Sequence, residues 1–176
     1  MSKFRRAVLS LVTAALTVIL MTVIPQSASA YSFSPVTTVY THPLATYCVK
    51  AKAGIDHVSG PFSGNIAYAD AYVVGYSVIS GCNVAHSGWA RVRLDVQYWN
   101  GSSWIVCRAT GWTYGQVGWV GGEFPGPTGP STLLDYGGSG SCGQGYYRTI
   151  AFSEYGGSTG TNWVGGSVAS PYEWVP

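Results

Sequence analysis

In the stretch Arg91–Trp99, Val92, Leu94, Val96 and Tyr98 alternate with Arg91, Arg93, Asp95, Gln97 and Trp99. Successive side chains of a strand point to opposite faces, so this two-residue period predicts a strand with an apolar face and a polar one. Similar short runs rich in Val, Tyr, Trp and Thr recur between Gly-containing turns, at Val36–Thr41, Thr46–Ala53, Ile66–Gly75 and Tyr76–Ser80. They continue at Ala90–Trp99, Trp104–Gly111, Val117–Gly121, Tyr146–Tyr155 and Trp163–Ser170. No segment beyond position 30 sustains a helical period. The pattern predicts an all-β, single-domain antiparallel β-sandwich, or a partly open barrel, of about 8–9 strands.

Tyr98-Trp-Asn-Gly-Ser-Ser-Trp104 gives the sharpest local prediction. Asn-Gly is a strong hairpin signal because both residues tolerate positive φ. A two-residue loop pairs Trp99 with Ser102; a four-residue loop pairs Trp99 with Trp104 and sets Asp95 opposite Arg108. The two registers differ by an even shift, so both send Ile105, Cys107 and Ala109 to the core. Both leave Trp99, Trp104, Val106 and Arg108 on the outer face. Asn100-Gly-Ser102 also fits a glycosylation acceptor, but the turn already accounts for the Asn-Gly pair. Tyr155-Gly-Gly-Ser158, followed by Trp163-Val164, weakly echoes this hairpin and adds Tyr155 and Trp163 to the candidate outer aromatics.

The ends change the picture of charge. Lys3, Arg5 and Arg6 precede an apolar run to Ile24, and Ala28-Ser-Ala30 supplies the small residues of a cleavage site. Residues 1–30 are therefore expected to be a cleaved secretory signal peptide, leaving residues 31–176 as one exported domain without a membrane anchor. Three of the nine basic residues go with the leader, leaving six against seven acids. So little positive charge excludes a nucleic-acid footprint. Cys48, Cys82, Cys107 and Cys142 all lie beyond the leader, where an oxidising compartment favours pairing. Cys48–Cys82 with Cys107–Cys142 is the expected connectivity, because each bridge then closes a local unit of similar length. With no Cys-x-x-Cys pair and no His beside a Cys, neither a metal nor a cofactor is implied. Residues 121–131, with three prolines, read as an exposed Gly/Pro loop between two β units, since Pro cannot donate to a central ladder.

Candidate chemistry is sparse. The acids Asp56, Asp70, Asp95, Glu123, Asp135, Glu154 and Glu173 show no spacing that marks a glycosidase pair. His42, His57 and His86 have no nucleophile motif near them, and Asp56-His57 reads as a solvated turn. Tyr68, Tyr72 and Tyr76 share one strand face and read as core rings with wet polar tips, while Trp89, Trp112, Trp119 and Trp174 add rings elsewhere. Trp99 and Trp104 differ, because the opposite face of their hairpin already supplies a core. Exposed rings in such a position mark an interaction surface.

The sequence therefore points to a secreted, extracellular, non-catalytic binding module. Its expected partner is cell-wall or environmental polysaccharide, contacted through Trp99, Trp104, Tyr155 and Trp163 with Gln97 and Glu154 as hydrogen-bonding neighbours. The alternative is a protein-binding effector, a protease inhibitor or toxin, that presents loop 122–131 with Glu123 and Phe124 to an extracellular protein. A small hydrolase acting through the acids is the third reading.

Overall fold

The computed structural model describes residues 30–57, 64–118, 129–137 and 142–176. All regular structure among them is strand. One sheet contains β1 (Ala30–Phe33), β2 (Thr37–Thr41), β3 (Tyr47–His57), β4 (Asn65–Ser77), β5 (Gly81–Val84) and β9 (Ser131–Asp135). The other contains β6 (Gly88–Trp99), β7 (Trp104–Ala109), β8 (Thr113–Val117), β10 (Gly145–Tyr155), β11 (Val164–Ala169) and β12 (Glu173–Val175). Every pairing is antiparallel, with β3–β4 central to the first sheet and β6–β10 to the second. The two sheets stack as an open sandwich, β10 lying across β3 and β4.

The core between them is built largely from small residues. Ala51, Ala53, Ala67, Ala69, Ala71, Ala90 and Ala151 are fully buried, together with Ile55, Val92, Leu94, Val96 and Tyr147. Alanines on the facing sides let the sheets approach closely, and Ser153 Oγ donates across the gap to the Lys50 carbonyl at 3.0 Å. The same choice overturns the expected role of the β4 tyrosines. Ala67, Ala69, Ala71 and Val73 take the inward positions, so Tyr68, Tyr72 and Tyr76 face away from the core. Tyr68 meets Phe33 edge-on at 4.6 Å, and Tyr72 donates to Asp70 at 3.2 Å. Burial and the neighbouring Asp70 carboxylate push the Tyr72 hydroxyl up to about 12.

The disulfides are Cys48–Cys82 and Cys107–Cys142, as the spacing predicts, with Cα separations of 5.7 and 5.9 Å. The predicted strands differ from the observed ones in several places. β4 runs through Tyr76 to Ser77, and a turn at residues 78–80 leads into β5. Of the strand expected at Val117–Gly121, residues 119–121 lie outside the described residues, and Val117 ends β8 (Thr113–Val117). The short strands β1, β9 and β12 were not foreseen. The loop expected at 121–131 falls mostly outside the described residues. At its described end, the Pro130 carbonyl accepts from Ala71 N–H at 3.1 Å and Ser131 already pairs with Asp70. Glu123, Phe124 and Trp119 also lie outside, as do residues 1–29 of the expected leader.

In the β6–β7 hairpin the four-residue loop is realised: Trp99 pairs with Trp104, and Asn100 N–H donates to the Ser103 carbonyl at 3.1 Å. The Asn100 side-chain oxygen accepts from the Ser102 and Ser103 N–H groups at 3.0 and 2.8 Å, and Gly101 takes φ +97°. Asn and Gly are thus both occupied by the turn. Beyond Val106 the register slips by one residue at a bulge, so Asp95 pairs with Ala109 and Arg108 with Val96. A bulge inserts one residue and reverses the alternation that follows. Arg108 therefore reaches the Asp135 carbonyl at 3.3 Å rather than Asp95. Cys107 still packs against the core, whereas Ile105 and Ala109, expected inside, are exposed.

Candidate functional site

The outer face of the β6 sheet carries the aromatic residues left over from the core. Alternation sends Arg91, Arg93, Gln97 and Trp99 outward from β6, and Tyr146, Arg148, Phe152 and Glu154 outward from β10. Alongside β10, β11 offers only Gly165, Ser167 and Ala169 opposite Glu154, Phe152 and Ile150. No bulky side chain from that strand covers the rings.

Near Arg91 the rings are stacked on cations. The Arg91 guanidinium lies 4.2 Å from the Trp112 ring and 4.5 Å from Trp163, and its Nε donates to Glu154 at 2.7 Å. Arg93 lies 4.4 Å from Phe152 and 5.3 Å from Trp112. Each such contact contributes about 0.5–2 kcal/mol according to its exposure. The rings of this stack are held on guanidinium groups that Glu154 and Asp95 pair, and Tyr114, 54% exposed, meets Trp163 edge-on at 5.6 Å.

The opposite end of β6 is different. Trp99 and Trp104 lie 5.5 Å apart, Tyr172 follows at 6.3 Å from Trp104, and Tyr146 lies 5.4 Å from Tyr172 and 5.0 Å from Trp174. Five rings thus adjoin one another on four segments. The Asn100 turn fixes Trp99 and Trp104, and the Tyr146–Trp174 pairing of β10 with β12 fixes two more. Tyr172 is 63% exposed, Trp174 50% and Tyr146 42%, so large ring areas stay in water. Arg148 lies 4.3 Å from the Trp104 ring and donates from Nε to Gln97 Oε1 at 2.9 Å. Arg91 and Arg93 have carboxylates within reach; Arg148 has none among the described residues. Its remaining N–H groups make no hydrogen bond to described residues, and burial lowers its pKa from the ordinary arginine value.

The sequence-derived candidates divide accordingly. Trp99, Trp104 and Gln97 belong to the five-ring platform. Trp163 and Glu154 belong to the Arg91 stack, eight residues along β6, about 26 Å at strand rise. Tyr155 is a correction: it pairs with Ala90, faces inward and is 6% exposed, so it belongs to the core. Parity explains the miss, because Tyr155 shares the face of Ala151 and Ser153. Tyr146, Arg148, Tyr172 and Trp174 were not selected from sequence. Extending the alternation of β10 back to residue 146 gives the first two, but Tyr172 and Trp174 required the unforeseen β12.

A second aromatic group surrounds Tyr155. Its hydroxyl donates to the Ser87 carbonyl at 2.8 Å and lies 2.9 Å from His86 Nε2; Tyr47 stacks between His42 and His86. Burial lowers the His86 pKa and raises those of Tyr47 and Tyr155. All three are held neutral near pH 7, and the hydrogen bonds run inward to backbone. Asp56-His57, expected in a solvated turn, instead ends β3 with His57 Nδ1 2.5 Å from Asn65 Oδ1 and one Asp56 oxygen buried.

No family model, curated protein or solved structure matches this chain. Among the described residues, no group of three or more His, Cys, Asp or Glu could hold a metal ion, and no helix is long and apolar enough to cross a membrane. The two disulfides fit an oxidising compartment.

Proposed function

We propose that this protein is an exported, non-catalytic binding module that takes polysaccharide on the five-ring platform of Trp99, Trp104, Tyr146, Tyr172 and Trp174. The observation that carries the reading is the open, rigid cluster on the face opposite the core, with three of its rings more than two-fifths exposed. Flat rings match the apolar faces of sugars, and indole and phenol edges supply hydrogen bonds. Gln97 and the uncommitted N–H groups of Arg148 stand beside the rings as donors and acceptors for hydroxyls. Fixed turns and strand pairing lower the ordering cost of binding.

The test is retention on insoluble cellulose, chitin and peptidoglycan. We expect the parent to be retained by at least one polymer. Trp99→Ala/Trp104→Ala and Tyr172→Ala/Trp174→Ala should each weaken that retention by roughly 10–100-fold, corresponding to about 1.4–2.8 kcal/mol. Circular dichroism should show both variants folded. Retention by none of the polymers, or equal retention of parent and folded variants, refutes the reading.

A further inference from the structure

Among the described residues, the large apolar side chains most open to water are Ile79, Val78 and Leu44, at 95%, 92% and 79%. They occupy two neighbouring turns. Leu44 lies between β2 and β3, and Val78 and Ile79 lie between β4 and β5. Tyr47 pairs with Gly75 where β3 meets β4, and Tyr76 N–H donates to the Thr46 carbonyl at 3.1 Å. Both turns therefore stand at the same end of the first sheet, with tips roughly 10 Å apart at two strand spacings. The Cys48–Cys82 disulfide joins the strand after the first turn to the strand after the second, which fixes one tip relative to the other.

The backbone at both tips is hydrogen-bonded within its own turn. Leu44 N–H donates to His42 Nδ1 at 3.3 Å, and Ala45 N–H to the His42 carbonyl at 2.7 Å. Ser77 Oγ accepts from Ile79 N–H at 3.3 Å and from Ser80 N–H at 3.0 Å. Unpartnered backbone groups are costly away from water, so a turn enters the edge of a bilayer only with such groups supplied from within. Behind the tips stand groups suited to a headgroup layer: the Thr46, Ser77 and Ser80 hydroxyls, and the His42 and Tyr47 rings stacked at 4.8 Å. No Asp or Glu occurs in residues 31–55 or 71–94, so no carboxylate of these turns or the adjoining strand ends repels lipid phosphate. Three aliphatic side chains bury roughly 200–350 Å², far short of the roughly 1,200–2,000 Å² of a stable protein interface. A bilayer needs no complementary surface and takes tips of that size.

We propose that these two turns form a membrane-contact tip, with Leu44, Val78 and Ile79 entering the interfacial layer of a phospholipid bilayer. The contact is peripheral and spans nothing. Burial of aliphatic surface drives it, so salt does not weaken it. Tyr47 meets Tyr155, which pairs with Ala90 near the start of β6, whereas Trp99 and Trp104 stand at the end of that strand. Tip and aromatic platform thus lie at opposite ends of β6, about 30 Å apart at strand rise. Whatever the platform binds is held away from the membrane surface.

The experiment uses protein secreted from the full precursor, its mass confirming that the apolar leader is gone. It is mixed with phosphatidylcholine vesicles and floated through a density gradient. We expect the parent to float with the vesicles at low and at high salt alike. Val78→Ser/Ile79→Ser should lower the partition coefficient by about tenfold or more, and Leu44→Ser by less. These side chains are open to water, so both variants should melt with the parent. The emission added by Ile79→Trp should move to shorter wavelength when vesicles are present. Trp99→Ala/Trp104→Ala should float as the parent does. Absence of flotation, equal flotation of the tip variants, no shift for Ile79→Trp, or loss of flotation in the platform variant overturns the proposal. Self-association of the parent without lipid, abolished by Val78→Ser/Ile79→Ser in sedimentation, overturns it in favour of a second copy of the chain.

Discussion

Replacing Cys107 and Cys142 together by alanine should lower stability by roughly 3–4 kcal/mol, because the bridge closes a loop of 35 residues in the unfolded chain. For a domain of this size that corresponds to a fall in melting temperature of roughly 8–15 °C. The bridge ties the bulge of β7 to the approach to β10, where Cys142 N–H donates to the Tyr147 hydroxyl at 3.2 Å. The Cys48–Cys82 pair spans 34 residues and carries the same unfolded-state contribution. Cys48, however, is fully buried, so Cys48→Ala/Cys82→Ala also leaves a cavity and should cost more. The thin alanine core makes both bridges matter, since a buried alanine supplies far less than the roughly 1.5–3 kcal/mol of a buried Val, Leu or Ile. Thermal unfolding without reductant measures this. A loss below about 1 kcal/mol for either pair would show that the cross-links do not carry the chain-entropy contribution assigned to them.

Gly165→Ala should be at least as damaging, at about 3 kcal/mol or more, above the ordinary range for overpacking. A Cβ at Gly165 would overlap the Ser153 carbonyl oxygen and stand 2.7 Å from Glu154 Cα, so backbone rather than a flexible side chain must move. The neighbouring Gly166 is equally confined, since a Cβ there would lie 2.6 Å from the Val39 carbonyl of β2. These two glycines let β11 lie close to both sheets. Gly101→Ala is the control: it meets no atom within 4 Å and strains only a turn at φ +97°. Its expected cost is about 1 kcal/mol. Urea unfolding of the three proteins should rank them parent, Gly101→Ala, Gly165→Ala. Similar midpoints for the two variants would contradict the close approach.

The hairpin and the disulfides were legible because their determinants are local. Asn100 and Gly101 suit a tight turn wherever they sit, the first through its side-chain acceptor and the second through its positive φ, and alternation in β6 separates charged from apolar residues without ambiguity. The β4 strand offered no such contrast: Ala67, Ala69 and Ala71 oppose Tyr68, Asp70 and Tyr72, and size alone suggested rings inside. The facing sheet, itself lined with alanine, decided otherwise. Cys107 illustrates a second limit, since one bulged residue reversed the faces of Arg108 and Ala109 with no signal in composition. Trp174 lies on a three-residue strand too short to show a period, so the platform's far edge stayed hidden. Among the sequence-derived site residues, Trp99, Trp104 and Gln97 reach the platform because they belong to the one hairpin whose register could be read. Tyr155 and Trp163 came from a loose resemblance between hairpins, and they occupy a core position and the Arg91 stack.

The division of the outer face into an arginine-held stack and an open platform is best tested by the indole N–H resonances. A soluble oligosaccharide of the polymer that retains the parent protein would be titrated into ¹⁵N-labelled protein. The signals of Trp99, Trp104 and Trp174 should shift in a saturable manner, while those of Trp112 and Trp163, held on Arg91, stay in place. Shifts confined to Trp112 and Trp163, or saturation with no change at Trp99, Trp104 and Trp174, would contradict the platform as the binding surface.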